Sequence, residues 1–384
     1  MFHHMQTDVG THNTEAVVTD SMSVHLTGEP MKIAVVQNRS RLGVNNKFGL
    51  KCFERYGKRT ISSVEDALRR NGHEVILCEG DNTLLATLQA FMPADPQQNP
   101  TGMVFNMAYG IQGNCRYTHV PAMLEMAGVP YTGSSPLGHA LSLDKVITKR
   151  LLREAGIPTP NFRVLGSPED STEGLRFPVV VKPRHESTSF GLQLIGDPAA
   201  VGPAVEAIVD KYRQEALVEE YVAGREVCVA LLGNDDGTEV FPLVEQDFGD
   251  RPLDLVTWDD KMHKVSTEPK KICPASLPEA VAAQLHDIAL GTFRACQCQD
   301  YARVDIRLDA EMNPFVLEIN SMASLGPTGS YVLAAEIAGY SFDALIARIL
   351  DVAHRRYFLK PMPAEQYEAE QLVAPSQSRP TLFP

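Results

Sequence analysis

The sequence predicts a protein of the α/β class, with a Rossmann-like parallel sheet near its N-terminus and α+β structure after it. In the first part of the chain, short apolar runs alternate with amphipathic helical segments, which is the order that produces a parallel sheet. Later runs follow one another through short turns, which is typical of antiparallel strands. With 384 residues, the chain is long enough for two or three packed lobes.

The N-terminal part contains alternating strands and helices. Ser62 and Glu65 have the spacing of a capping box, so we expect a helix to begin at Ser62 and to end before Gly72. No G-x-G-x-x-G motif follows the first apolar run, and a dinucleotide site is therefore not implied. The elements predicted here are strands at 31–36, 73–77 and 103–105 and helices at 62–71 and 117–127.

The rest of the chain combines helices with closely spaced strands. The middle elements are helices at 144–155 and 201–212 and strands at 177–182, 192–195, 217–222 and 226–232. The last elements are helices at 278–296 and 342–353 and strands at 301–308 and 314–319, which a turn at 309–313 joins as a hairpin. This order predicts antiparallel α+β structure.

The composition argues against several classes of partner. A formal net charge of −13 disfavours binding to duplex nucleic acid or to an anionic membrane, and no apolar run approaches the roughly 20 residues that span a bilayer. Seven cysteines, an odd number with scattered spacing, indicate reduced thiols and a cytoplasmic location. Residues 1–30 and 359–384 lack apolar periodicity, so we expect a disordered extension and a flexible tail there.

Polar side chains on the two hairpin strands form a candidate metal and catalytic site. Side chains two positions apart share a strand face, so Arg303 lies beside Asp305, and Glu318 beside Asn320. If the strands pair, the oxygens of Asp305, Glu318 and Asn320 converge, and such hard ligands suit magnesium. Arg303 would then stabilise an oxyanion or a transferring phosphoryl group. The alternative is a solvated hairpin face, but the apolar neighbours predict a buried strand, where unpaired carboxylates are costly.

Two lysines and a polar turn form a candidate phosphate site. Lys182 ends an apolar strand and needs an anionic partner there, such as a nucleotide phosphate; the alternative is a lysine that extends to solvent. Lys145 lies in a helix beside Asp144. The turn at 186–191 offers hydroxyl and backbone N–H groups to phosphates, although many such turns bind nothing. Its candidate ligand-binding residues are Glu186, Ser187 and Thr188.

The order of these segments resembles the series of motifs in D-alanine–D-alanine ligases. The resemblance covers about residues 100–355, with weaker agreement from Met31 onward. Each motif is modest by itself, whereas the ordered series is specific. The motifs are YTGSS at 131–135, LDK at 143–145 followed by TK at 148–149, GIPTP at 156–160, VVVKP at 179–183, LVEE at 217–220, GRE at 224–226, YARVD at 301–305 and LEIN at 317–320.

This resemblance implies an ATP-grasp fold of three lobes, with ATP held between the central and C-terminal lobes. The lobes are expected at 31–140 for the preATP-grasp domain, 141–225 for the central lobe and 226–358 for the C-terminal lobe with its magnesium site. By position, Lys145 and Lys182 would contact the phosphates of ATP. Glu219, Val222 and Glu226 would hold the adenosine. The resemblance also implies a homodimer.

The same resemblance assigns the metal and catalytic roles. Asp305, Glu318 and Asn320 would bind two magnesium ions, with manganese as the alternative metal. Lys261 matches the lysine of a mobile loop that approaches the γ-phosphate. Arg303 matches the arginine that stabilises the tetrahedral intermediate.

Departures from the family pattern fall on substrate recognition. The glycine-rich loop at 37–43 lacks the family's glutamate for the amino group of the first D-alanine. Segment 108–116 replaces the usual His-Gly and Gly-Glu-Asp-Gly pattern, Met262 replaces a tyrosine, and 323–325 replaces Pro-Gly-Met. Ser330 matches the serine that holds the carboxylate of the second amino acid. These changes predict the same reaction on a different carboxylate and amine.

Three functions compete on these grounds. We expect an ATP-dependent ligase that joins two amino acids or amino-acid-like substrates through an acyl phosphate, with altered specificity. One alternative is a genuine D-alanine–D-alanine ligase of peptidoglycan synthesis. The other is a non-catalytic ATP-binding sensor, which would have no need of Arg303. Arg39, Arg41 and Arg116 are candidates to receive an acidic group of the first substrate.

Overall fold

The computed structural model describes residues 30–39, 44–45, 51–251, 254–257, 260 and 269–359. Within these ranges the chain forms three β-sheets with helices packed against them. The same ranges contain no helix with the length and apolar character needed to cross a bilayer. Most of the predicted extension and tail, together with Lys261, Met262 and Arg41, lie outside the described residues.

A parallel sheet forms near the N-terminus, as predicted. Its elements are β1 (Lys32–Gln37), α1 (Lys58–Arg70), β2 (Glu74–Glu79), α2 (Leu84–Phe91), β3 (Gly102–Asn106) and α3 (His119–Met126). The strand order is β2-β1-β3, and β1 pairs in parallel with both neighbours. Because the carboxyl ends of parallel strands share an edge, the segments after β1 and β3 meet there. The N–H of Gly110 donates to the side-chain oxygen of Asn38 at 2.7 Å.

The prediction that the first helix begins at Ser62 is wrong. α1 begins at Lys58, so Ser62 lies inside the helix, and no side chain caps its N-terminus. The buried face of α1 extends back to Ile61, which packs in the same core as strand β1. Burial of such a side chain contributes about 1.5–3 kcal/mol, more than the roughly 1 kcal/mol of one capping bond. The predicted end is confirmed, since Gly72 follows α1 with a φ of +89°.

A four-stranded antiparallel sheet forms the next part, which confirms the predicted antiparallel strands. Its elements are α4 (Pro136–Leu143), α5 (Lys145–Glu154), β4 (Phe162–Leu165), β5 (Val179–Pro183), β6 (Gln193–Ile195), α6 (Val201–Tyr212) and β7 (Ala216–Glu220). The strand order is β4-β7-β5-β6. Val205 and Ile208 of α6 pack against Val179 and Val181 of β5, because the apolar residues of the helix lie on one stripe.

A six-stranded antiparallel sheet completes the fold. Its elements are β8 (Arg225–Leu232), β9 (Glu239–Val240), β10 (Val244–Asp247), β11 (Lys270–Ile272), α7 (Glu279–Ala295), β12 (Tyr301–Leu308), β13 (Pro314–Asn320), α8 (Ser330–Ile337) and α9 (Phe342–Phe358). The strands lie in the order β11-β10-β8-β12-β13, and β9 pairs with β8. The predicted hairpin is confirmed, with Arg303 opposite Asn320 and Asp305 opposite Glu318.

One apolar core joins the parallel sheet to the six-stranded sheet. It contains Ile33 and Phe105 of the parallel sheet, Tyr301 of β12, and Leu345 and Ile349 of α9. The parallel sheet and the six-stranded sheet therefore share one apolar core. Helix α9, near the C-terminus of the chain, contributes to this core beside the N-terminal parallel sheet.

Candidate active site

A cleft lined by both charged and apolar side chains lies between the two antiparallel sheets. Lys182 of β5, Lys145 of α5, Glu226 of β8, Asp305 of β12 and Glu318 of β13 all line it. The turn between β5 and β6 and the loop after β10 complete the lining. Cations and carboxylates that are far apart in sequence therefore meet in one cleft, an arrangement suited to a polyanion bound together with a metal ion.

Lys182 is buried, and its anionic partner is a carboxylate of the protein. The ammonium group contacts Glu219 of β7, and the second oxygen of Glu219 lies 2.7 Å from the ammonium of Lys149. Burial alone would raise the pKa of Glu219, but the charges of Lys149 and Lys182 lower it. Glu219 is thus an ionised carboxylate between two lysines. The three side chains together, Lys149, Glu219 and Lys182, keep a net positive charge for an anionic ligand.

Lys149 was not among the predicted site residues. Its side chain is fully buried, and its ammonium donates to the hydroxyl of Thr159 at 2.6 Å, which in turn donates to the carbonyl of Val316 at 2.7 Å. Burial lowers the pKa of Lys149 to about 8; Glu219 opposes this shift and Lys182 adds to it. The available signal was its spacing of four residues from Lys145, which places both lysines on one face of α5.

Lys145 occupies the first position of α5, where Asp144 caps the helix. The carboxylate of Asp144 accepts the N–H of Val146 at 3.0 Å and also pairs at 2.7 Å with Arg184, which lies between β5 and the polar turn. Lys145 donates to the carbonyl of Glu186, and its ammonium lies 3.4 Å from the carboxylate of Glu318. Lys145 thereby connects the polar turn to strand β13.

The polar turn at 186–191 is held in place by contacts of its own side chains. The buried carboxylate of Glu186 lies 3.3 Å from the guanidinium of Arg116 and accepts from Gln214 at 3.1 Å. Thr188 and Ser189 have φ angles of +55° and +59°, a strained region for residues with a Cβ. The Ser189 hydroxyl donates to the carbonyl of Val256 at 2.7 Å, which ties the turn to the loop after β10.

Arg303 and Asp305 form a two-point ion pair on β12. Nε and Nη2 of Arg303 donate to the two carboxylate oxygens of Asp305 at 2.6 and 2.7 Å. Burial alone would lower the pKa of Arg303, but the charge and hydrogen bonds of Asp305 raise it well above its ordinary value. The side-chain nitrogen of Asn320 also donates to Asp305, at 3.0 Å. Arg303 is therefore a permanent, oriented cation beside the candidate metal ligands.

The candidate metal ligands suit a hard divalent cation by their chemistry. Asp305 and Glu318 are directly opposite on paired strands, and Asn320 adds an amide oxygen on the same hairpin. Their donor atoms are oxygens, which magnesium prefers. Within the described ranges, no group of three or more His, Cys, Asp or Glu side chains is arranged around a common metal position. A metal would therefore depend on the amide and on ligand oxygens besides the two carboxylates.

The residues proposed for adenosine are in different environments. Glu226 lines the cleft, and one of its oxygens accepts from the buried guanidinium of Arg307 at 3.2 Å. The carboxylate of Glu219 is engaged by the two lysines, so only its backbone remains for an adenine edge. Val222 is half-buried in the segment that joins β7 to β8.

Three further candidates differ in how the structure places them. The hydroxyl of Ser330, at the first position of α8, accepts from Gln246 at 3.2 Å. Arg116 is buried and donates to the carbonyl of His185 at 3.0 Å as well as pairing with Glu186, so it is not available to an acidic substrate group, and that prediction is wrong. Lys261 lies outside the described residues.

Glu54 is a cleft-side carboxylate that the sequence reasoning missed. One of its oxygens accepts hydrogen bonds from the hydroxyls of Tyr117 and Ser187. Ser187 lines the cleft, so Glu54 reaches it from the N-terminal part of the chain. No local pattern marks Glu54, because its partners lie 63 and 133 residues away in sequence.

Comparisons with known proteins agree with this architecture. Residues 151–351 match the family described as D-ala D-ala ligase C-terminus. A D-alanine–D-alanine ligase of Bordetella petrii is 33% identical over 237 residues, which cover 60% of this chain and 70% of that protein. An uncharacterized protein of Sinorhizobium fredii is 56% identical over 336 residues, covering 85% of this chain and 98% of that protein.

A solved structure shows the same fold. The D-alanine–D-alanine ligase of Bacillus anthracis, crystallised with ATP, superposes with a TM-score of 0.65 at 20% sequence identity and covers 85% of this chain and 98% of that one. Three findings lead to one conclusion: the family match over more than half of the chain, the identity to the Bordetella enzyme, and the shared fold. The chain belongs to the D-alanine–D-alanine ligase family, whose members are ATP-grasp enzymes that form carbon–nitrogen bonds.

Proposed function

We propose that this protein joins two amino acids or amino-acid-like molecules in an ATP-dependent reaction that passes through an acyl phosphate. The observation that carries this proposal is the hairpin of β12 and β13. It presents the carboxylates of Asp305 and Glu318 to a cleft that also contains two lysines, and Arg303 and Asn320 both donate hydrogen bonds to Asp305. A protein that only sensed ATP would have no use for Arg303 beside the metal ligands.

The cleft would bind ATP as the phosphoryl donor. Lys145 and Lys182 line it and would contact the phosphates, supported by the net positive charge of the Lys149–Glu219–Lys182 group. Glu226 would accept a ribose hydroxyl, and the backbone near Glu219 and Val222 would contact the adenine. Asp305, Glu318 and Asn320 would hold magnesium, which neutralises phosphate charge when bound.

In the first step, a carboxylate oxygen of one substrate attacks the γ-phosphorus of ATP. The new bond is between that oxygen and phosphorus, and the bond to the β-phosphate oxygen breaks, so ADP leaves. Lys145 and Lys182 hold the phosphates in line for this attack. Lys261, predicted on a loop near the γ-phosphate, would add a further positive charge.

In the second step, an amine attacks the carbonyl carbon of the acyl phosphate. The oxyanion that forms would be stabilised by Arg303, whose charge is permanent because Asp305 raises its pKa. Phosphate then leaves, the amine loses a proton, and a carbon–nitrogen bond remains. Ser330 would hold the carboxylate of the amine substrate, and Thr188 is the candidate contact in the polar turn.

Water must be excluded, because an acyl phosphate hydrolyses. The bond from Ser189 to the carbonyl of Val256 closes the polar turn against the loop after β10 on the cleft. This contact supports a lid function for the two segments. We propose that the substrates differ from D-alanine, because the departures from the family pattern lie in the substrate-recognition segments.

A genuine D-alanine–D-alanine ligase is the second candidate, and the identity to the Bordetella petrii enzyme favours it. The deciding experiment measures phosphate release from Mg·ATP across a matrix of paired D- and L-amino acids, with mass spectrometry of the products. Turnover with a pair other than two D-alanines supports the proposal, and D-alanyl-D-alanine as the preferred product supports the second candidate. In the active pair, Arg303→Ala should lower kcat by about 10²–10³-fold. Near-normal ligation by that variant, or no turnover by the wild type, would contradict the proposed mechanism.

A further inference from the structure

A second pocket lies at the carboxyl edge of the parallel sheet, beside the cleft. Asn38 after β1 and Gly110 after β3 form its floor, and residues 51–55 form one wall. Ligands of open α/β sheets commonly bind outside the carboxyl ends of the strands. The position therefore suits a small ligand.

Three cationic side chains line this pocket, with one carboxylate. The cations are Arg39, Lys51 and Arg55, and the carboxylate is Glu54. Arg39 donates to the carbonyl of Tyr56 at 3.0 Å, and the ammonium of Lys51 lies 5.4 Å from the ring centre of Phe53. Among the residues that the structure describes, no carboxylate forms an ion pair with any of the three cations. The pocket therefore has excess positive charge for a ligand.

The pocket adjoins the cleft through Glu54. Its carboxylate accepts from Ser187, a lining residue of the cleft, while the same carboxylate lines the pocket. Phe53 packs on Phe190 of the polar turn with ring centres 5.4 Å apart. The hydroxyl of Tyr56 donates to the carbonyl of Ala323 at 3.2 Å, which fixes this wall against the segment after β13. The linings of the pocket and of the cleft are therefore in direct contact.

We propose that the carboxylate substrate is an amino acid with a second negatively charged group, and that the pocket selects it. The ammonium of the substrate lies at Glu54, and its additional carboxylate lies among Arg39, Lys51 and Arg55. This assignment rests on the proposed ligase function, because the carboxylate to be activated must point toward Arg303 and Lys182. An uncharged side chain would give the three cations no partner, whereas a carboxylate pairs with them through charge-assisted hydrogen bonds.

The test compares acids with amides of the same length and shape. Binding of aspartate, glutamate, asparagine and glutamine, each as D- and L-form, is measured by titration calorimetry on the full chain with magnesium and the β,γ-imido analogue of ATP. We expect an acid to bind about tenfold more tightly than its amide in at least one pair. The double variant Lys51→Gln, Arg55→Gln should remove this difference. Arg59→Gln is the matched control, because Arg59 is an exposed cation of α1 and is not part of the pocket lining.

The outcomes separate this inference from the proposed function. Any of three results overturns the acidic-substrate assignment, even if another pair is ligated. These results are equal binding of acid and amide by the wild type, binding of neither, and a preference for the acid that survives in the double variant. An acid preference that the double variant abolishes supports the pocket. If phosphate release is then absent with every amine, the ligase proposal fails while the acid-binding pocket stands.

Discussion

At the scale of single residues, Lys149 predicts a pH dependence of nucleotide binding. Burial lowers the pKa of Lys149 to about 8, so its ammonium is charged below that pH and neutral above it. When Lys149 is neutral, Glu219 cancels the charge of Lys182, and the group loses the positive charge that phosphates need. We expect the KM for ATP to rise about tenfold between pH 7 and pH 9.

The variant Lys149→Met identifies the origin of this effect. Without the titrating ammonium, the KM for ATP should be high at every pH, and its change between pH 7 and pH 9 should disappear. Lys58→Met, a change at an exposed position of α1, should retain the wild-type pH profile. A transition near pH 8 that persists in Lys149→Met would assign the titration to another group.

The residues of the cleft show what a single sequence can predict about a site. Four of the predicted residues meet in the cleft, and each stands in a local sequence pattern. Lys145 begins a helix, Lys182 lies near the end of a strand, and Asp305 and Glu318 lie opposite each other on the hairpin. Glu54 stands in no such pattern. Its place in the site results from tertiary packing between the N-terminal part and the polar turn, which local periodicity does not report.

At the scale of elements, the polar turn predicts coupling between ATP cleavage and ligation. Ser189→Ala removes the hydrogen bond to the carbonyl of Val256 and should favour the open arrangement of the turn by about fivefold, the effect of roughly 1 kcal/mol. Water then reaches the acyl phosphate more often. The ratio of ligated product to released phosphate, measured in one assay by mass spectrometry and phosphate detection, should fall.

A matched serine variant controls for general effects of the change. Ser62→Ala alters an exposed serine inside α1 and should leave the ratio of product to phosphate unchanged. A wild-type ratio in Ser189→Ala would mean that this contact does not keep water from the intermediate.

The elements also differ in how well the sequence predicted them. Strands β5, β12 and β13 were recognisable because their apolar residues form continuous or alternating runs bounded by turns. Several described elements were not predicted, namely helices α2, α4 and α8 and strands β4, β9, β10 and β11. β4 has only four residues, which is too short for a clear pattern. α4 does have a local start signal, since Ser135 caps it and Pro136 is its first residue, and the sequence analysis did not use that signal. The start of α1 was misplaced because core burial outweighed a local capping pattern.

At the scale of the whole molecule, a buried ion pair joins distant parts of the chain. Asp300, before β12, lies 2.9 Å from the guanidinium of Arg356 in α9 and accepts the N–H of Gly133 at 2.8 Å. Arg356 also donates to the carbonyl of Tyr131 at 3.0 Å. Burial alone would lower the pKa of Arg356, yet the charge of Asp300 raises it, so the guanidinium of Arg356 stays charged inside the protein.

Asp300→Ala should therefore destabilise the fold strongly, because it leaves the largely buried charge of Arg356 without its counterion. The expected loss in the free energy of unfolding is about 3–5 kcal/mol, measured by urea denaturation followed by circular dichroism. Asp343→Ala is the contrasting variant. It breaks the ion pair with Arg70 between α1 and α9, and both side chains of that pair are exposed to solvent, so water replaces the lost partner and the unfolding midpoint should move little. Similar losses in the free energy of unfolding for the two variants would contradict this prediction. They would show that the Asp300–Arg356 pair stabilises the fold no more than an exposed ion pair does.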